Sequence, residues 1–193
     1  ADAVDVAIAF AKTHPDETLV LVTGDHETGG LTIGYAGTDY DTYLANLQNQ
    51  KISYAKYDSD YVAAYKENGT SFEDVLKDVE ALFGLKAEGD AEADKLVLNE
   101  YELGLLKSAY DKTMAAEAAE LTQAEYILYG TYEPLSVTIT HLLNNKSGIN
   151  FASYAHTGLP VAVFAEGAGQ EQFEGYYDNT EIYAKLAALL NVA

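Results

Sequence analysis

Arginine is missing from this 193-residue chain; all eleven basic side chains are lysines. A bidentate guanidinium clamp on phosphate or carboxylate therefore cannot come from these residues. Cysteine is missing too, which excludes disulfides and thiolate metal sites and leaves the redox compartment open. No apolar run is long enough to span a bilayer, and the opening residues hold neither a basic stretch nor a signal-like apolar segment. Positive charge is scarce. Thirty-one acidic residues against eleven lysines give a net charge of -20. Together with an isoelectric point near 4.2, that argues against nucleic acid or an anionic membrane as a partner.

What is present is a 48% hydrophobic composition, enough for one sizeable soluble core or a core with an inserted subdomain. Val4, Ala7, Ile8 and Ala11 fall at the spacing of an amphipathic helix, broken by His14-Pro15-Asp16. Leu19 to Val22 follows as an unbroken apolar run, β-branched at alternate positions, which predicts a strand buried on both faces of a parallel sheet. No strand precedes that helix, although a crossover between parallel strands requires one. The chain is thus expected to begin midway through a domain.

Leu31 to Tyr35 reads as a short strand or an extended loop. Residues 36–133 then hold twenty of the thirty-one acidic residues and eight of the eleven lysines, a net of -12, and read as an inserted, largely helical subdomain. Its helix signals are Ser71 with Asp74 ahead of Phe72, Val75, Val79 and Leu82, with Gly84 as the stop. Leu98, Tyr101, Leu105 and Ala109 mark another helix, and Thr122 with Glu125 forms a capping box flanked by Leu121 and Tyr126 as a staple. The α/β pattern of residues 1–35 resumes over 134–193. Glu133-Pro134 opens a helix with an apolar stripe at Leu135, Ile139, Leu142 and Leu143. Ile149 to Tyr154 alternates like a strand, Pro160 to Ala165 predicts a second buried strand, and Asp178 with Glu181 opens a last helix with Ile182, Leu186, Leu189 and Leu190 inward.

Four histidines are present. His14 reads as an exposed turn residue and His141 as a partly buried helix residue. His26 stands beside Asp25 at a strand end, between Gly24 and Gly29-Gly30, where open α/β sheets bind ligands. On pattern alone it is open between a metal ligand and a capped turn residue. His156 lies in the loop Ala155-His-Thr-Gly-Leu-Pro160. Were residues 161–165 antiparallel to residues 19–23, that loop would meet Asp25. Glu27 is either a supporting group behind the pair or an exposed carboxylate. Asp58-Ser59-Asp60 reads as a solvated turn and Gly167-Ala-Gly169 as a strand-end loop without nucleotide-binding spacing.

The stretch Thr18-Leu-Val-Leu-Val-Thr-Gly-Asp-His-Glu-Thr-Gly-Gly30, followed by His156-Thr-Gly-Leu-Pro-Val-Ala-Val-Phe-Ala-Glu-Gly167, resembles the carboxyl-terminal part of alkaline phosphatases. The resemblance covers roughly residues 1–35 and 135–193. It implies part of a mainly parallel, three-layer α/β core carrying a helical insertion. It also implies a phosphomonoesterase with two zinc ions and one magnesium ion, in which a serine attacks phosphorus and the phosphoserine is then hydrolysed. Asp25 and His26 would bind the zinc that activates the serine, and His156 the other zinc. The family's Asp-Ser-Ala nucleophile motif, its phosphate-binding arginine and its Asp-x-x-x-His pair have no counterpart here. The expectation is therefore a carboxyl-terminal fragment that is inactive alone, from a periplasmic or secreted enzyme acting on phosphate monoesters. A strand edge exposed by truncation would favour a homodimer. The competing readings are a related phosphodiesterase, sulfatase or phosphoglycerate-mutase-like enzyme, and a non-catalytic acidic binding module.

Overall fold

A computed structural model describes residues 2–115 and 120–192. In chain order the elements are α1 (Asp2–Thr13), β1 (Leu19–Thr23), β2 (Leu31–Ile33), α2 (Tyr54–Tyr57), α3 (Ala63–Asn68) and α4 (Phe72–Phe83). They continue with α5 (Glu100–Met114), α6 (Gln123–Tyr129), α7 (Pro134–Lys146), β3 (Ile149–Phe151), β4 (Val163–Gly167) and α8 (Glu181–Leu190). A π-helical stretch, Asp58–Val62, joins α2 to α3. Among the described residues, no helix is long and apolar enough to cross a membrane.

The chain divides into two compact units, one of Ala1–Gly30 with Ala155–Ala193 and one of Leu31–Tyr154. The division suggested by composition, at 36 and 133, leaves α7 and β3 outside the helical part. In the structure both belong to the second unit. The cause is packing: Leu135, Ile139, Leu142 and Leu143 of α7 share one buried cluster with Val75, Val79 and Phe83 of α4 and Leu106 of α5.

In the first unit β1 and β4 run antiparallel, with Leu19 opposite Gly167 and Thr23 opposite Val163. Leu19 to Val22 are half-buried rather than enclosed on both faces. An apolar run reports that a strand wants cover; it does not report how many neighbours supply it. In this unit β1 has β4 as its one strand neighbour among the described residues. The second strand also starts later than Pro160, at Val163. Pro160 has no N–H to give a ladder, and the Thr23 hydroxyl donates to the Ala162 carbonyl where the pairing ends. Gly167 has φ 109°, and a Cβ there would collide with the carbonyl of Thr18, which accepts the Ala168 N–H at 2.9 Å. Helix α1 turns Ala11, which is buried, and half-buried Val4, Ala7 and Ile8 inward, as its spacing predicts. Helix α8 half-buries Ile182, Leu186 and Leu189, whereas Leu190, in its last turn, is exposed.

The second unit is built from helices whose ends are set by short-range side-chain bonds. The Ser71 hydroxyl accepts the Asp74 N–H at 3.2 Å, and Gly84 closes α4 at φ 74°. Asn99 and Glu102 form a reciprocal capping box at α5, and Thr122 and Glu125 form one at α6. The Thr122 N–H, the Thr122 hydroxyl and Lys112 hold the Glu125 carboxyl down to about 2. Leu121 and Tyr126, expected as a staple, are both exposed. Glu133 accepts the Ser136 N–H at 3.0 Å, with Pro134 in the first turn of α7. The core holds Tyr57, Phe83, Leu85, Leu106, Leu135, Ile139 and Leu143, all essentially without solvent contact. Tyr65 donates to Asp78 at 2.8 Å, so the one phenol closest to a carboxylate in this core is satisfied. Strands β2 and β3 pair antiparallel, Leu31 opposite Phe151 and Ile33 opposite Ile149.

Candidate metal centre

Strand β1 ends at Thr23, and the chain turns through Gly24, Asp25 and His26. The His26 N–H donates to Asp25 Oδ1 at 3.0 Å, which curls the turn back on itself. His26 Nδ1 lies 2.9 Å from the Glu27 carbonyl, an acceptor, so Nδ1 carries the ring hydrogen and Nε2 keeps its lone pair. That Nε2 stands 3.3 Å from Asp25 Oδ2. With the ring neutral both atoms are acceptors, an arrangement that a shared metal ion would satisfy. The Asp25 side chain is 87% exposed and that of His26 40%, so a cation can reach the pair from solvent.

The antiparallel register of β1 and β4 carries the loop before β4 to the end of β1. There the His156 ring stacks on His26, with centroids 3.5 Å apart and planes inclined by 27°. Three further bonds fasten the two loops. The Gly29 N–H donates to the Ala155 carbonyl at 3.0 Å, and the Thr157 N–H donates to Glu27 Oε2 at 3.2 Å. The Thr157 hydroxyl donates to the same carboxylate oxygen. The other oxygen, Oε1, accepts the Gly30 N–H at 2.5 Å. Gly29 and Gly30, at φ 93° and 68°, make the tight return that presents this N–H, a backbone course closed to most side chains.

The three residues that sequence reasoning singled out thus lie together, by way of the His26–His156 stack. Their donor chemistry, one carboxylate and two imidazoles, suits zinc. Their number does not close a coordination sphere of four. Among the described residues, no group of three or more histidines and carboxylates is arranged to hold an ion. Sequence reasoning missed Thr157. Its hydroxyl bonds a carboxylate 130 positions away, and its place next to His156 was the sole clue.

His14 and His141 behave as their bland readings, whereas Asp58-Ser59-Asp60, expected as a turn, is part of the π-helical stretch. His14 is an exposed helix-end residue stacked on Phe10 at 4.2 Å. Asp60 pairs with Lys56 at 2.8 Å on a solvated face. His141 is a half-buried α7 residue stacked on Tyr154 at 5.7 Å, and burial lowers its pKa below the ordinary histidine value. It lines a cleft of about 710 Å³ within the second unit, together with Tyr35, Asp41, Tyr101 and Asn145.

A family model described as alkaline phosphatase matches residues 1–192. Alkaline phosphatase 3 and alkaline phosphatase 4 of Bacillus subtilis (strain 168) are each 30% identical to the chain, over 176 and 175 residues. Each alignment covers 91% of this chain and 30% of the relative. Among solved structures, a cold-active alkaline phosphatase from a psychrophilic Shewanella sp. aligns with a TM-score of 0.66 at 26% identity, over 97% of this chain and 37% of that one. The chain therefore spans about a third of the length of the relatives it matches. The α/β fold, the strand-end turn and a family match running from residue 1 to residue 192 lead to one assignment: this chain belongs to the alkaline phosphatase family.

Proposed function

We propose that this chain contributes Asp25, His26 and His156 to the metal centre of a phosphomonoesterase that works through a phosphoserine. Asp25 and His26 would hold one zinc ion and His156 a second, with magnesium nearby. The observation that carries the reading is the pair of facing acceptors, Nε2 of His26 and Oδ2 of Asp25, with the His156 ring stacked beside them. When bound, such ions stabilise the attacking and leaving oxygens of an in-line displacement and lower the pKa of bound water. The chain's own part is to orient these donors: the Glu27 carbonyl fixes the His26 tautomer, and the β1–β4 pairing delivers His156.

The nucleophile and the phosphate clamp are not among these residues, since the chain has no arginine and none of its serines lies in an Asp-Ser-Ala motif. The isolated 193-residue chain is therefore expected not to turn over p-nitrophenyl phosphate with zinc and magnesium added. In the full-length protein, Asp25→Ala, His26→Ala and His156→Ala should each lower zinc content and cut hydrolysis by roughly 100-fold or more, the upper end of what is lost when even supporting groups behind a metal are removed. Variants that keep both zinc and rate would instead make the site a structural relic. A substrate panel of monoesters, diesters and sulfate esters separates the monoesterase from its superfamily relatives. On the same reading the full-length enzyme would be periplasmic or secreted.

A further inference from the structure

Glu27 ties the His26 ring and the loop that carries His156 at once, by two different parts of itself. Its carbonyl accepts Nδ1–H of His26 at 2.9 Å, and its carboxylate accepts the N–H and the hydroxyl of Thr157, the residue after His156. The remaining carboxylate oxygen takes the Gly30 N–H at 2.5 Å. Donors on both oxygens leave this carboxylate turned toward the protein, while Asp25 faces the solvent. Bonds to an ionised carboxylate are short and strong, and a clamp of this kind fixes the direction of whatever lies next to it.

We infer that Glu27 is a positioning residue of the proposed metal centre: its carboxylate clamps the His156 loop to the β1 turn and so sets the spacing of the two imidazoles. The inference rests on the metal-centre reading above. It separates the two halves of the site, because a change of the Glu27 side chain leaves its carbonyl, and with it the His26 tautomer, in place. Loss of the carboxylate removes the two bonds at Thr157 and loosens the loop that carries His156, whereas Asp25 and His26 keep their own bonds. One ion should therefore loosen while the other is retained.

The test uses the full-length enzyme with Glu27→Ala, Glu27→Gln, Thr157→Val and Thr157→Ser. Zinc affinity is read by chelator competition, kcat and KM with p-nitrophenyl phosphate, and folding by thermal unfolding. Glu27→Ala and Glu27→Gln should weaken one of the two zinc sites by about 10- to 100-fold, leave the other within a few-fold, and lower kcat with little change in KM. Excess zinc should restore kcat. Thr157→Val, which removes only the hydroxyl, should move in the same direction to a lesser extent, and Thr157→Ser should match the wild type. Unchanged zinc affinity in folded Glu27→Ala and Thr157→Val would overturn the inference. So would a loss of kcat at full zinc occupancy, because Glu27 would then act on the reaction directly. His156→Ala run alongside keeps the two readings apart. If it too retains zinc, the metal centre itself has failed; if it loses zinc while Glu27→Ala does not, only the clamp has. Should Glu27→Ala not fold, Thr157→Val against Thr157→Ser decides.

Discussion

His141 shows how much one half-buried imidazole reveals about its surroundings. Burial favours its neutral form, so its pKa in the folded chain lies below that of the unfolded chain. Above the unfolded value of about 6.5 both states are neutral and the residue gives no pH dependence. As pH falls below that value the unfolded chain takes up the proton first, and stability declines until the folded pKa is reached. His141→Gln should flatten this part of the profile. Denaturant midpoints of wild type and variant across pH 7 to 5 are the check, and parallel curves would show that His141 is not responsible. The same residue marks a limit of pattern reading. Its place on α7 was legible as half-buried, but its contact with Tyr154 was not, because β3 lies between them in sequence and carries no marker for it.

At the scale of elements, several helix starts were legible and strand surroundings were not; α8, expected to open at Asp178, has Thr180 as its N-cap. Ser71, Thr122 and Glu133 act on N–H groups three residues away, so their meaning is complete within a short window; Asn99, which caps α5 in the same way, went unread. Strand β1 gains its character from β4, more than 130 residues later, and its apolar run could not report a single antiparallel neighbour. The site follows the same rule. Asp25, His26 and His156 were visible as ligand types, whereas the Glu27–Thr157 clamp exists only once the loops meet. The π-helical stretch at Asp58–Val62 had no sequence signal at all.

Thr113 belongs to this scale because it joins two helices. It is 4% exposed; its hydroxyl donates to the Glu133 carboxylate and accepts the Leu135 N–H at 3.1 Å, linking the end of α5 to the start of α7. Thr113→Val keeps the shape and removes both bonds, leaving a buried N–H without its partner. The expected cost is about 1–3 kcal/mol, read as a lower denaturant midpoint at unchanged slope. A midpoint equal to wild type would mean that the helix junction is held by packing alone.

For the molecule as a whole, the distribution of buried apolar side chains is very uneven. Among the described residues, the buried hydrophobic side chains of the first unit are Ala11 and Phe173, and all the others lie between Tyr57 and Ile149. Local opening costs least where few apolar contacts must be broken. Amide hydrogen exchange of the chain should therefore show strong protection in α4, α5 and α7 and early exchange in β1, β4 and α8. Equal protection in both units would show that they open together. The change of composition after residue 35 hinted at two regimes. Where they divide was less legible: the apolar stripe of α7 reads with the α/β core, but it packs among the helices of the second unit.

The aromatic inventory makes that unevenness visible to light. The chain has sixteen tyrosines and no tryptophan. Only Tyr176, Tyr177 and Tyr183 belong to the first unit; the other thirteen are in the second. In the second unit Tyr57 stacks on Tyr61 at 5.4 Å and meets Phe83 edge-on at 5.3 Å. Near-ultraviolet dichroism and intrinsic fluorescence thus speak almost entirely for the helical unit. The strand-end turn that carries Asp25 and His26 is optically dark, and a tryptophan placed in the first unit would shine against an empty background.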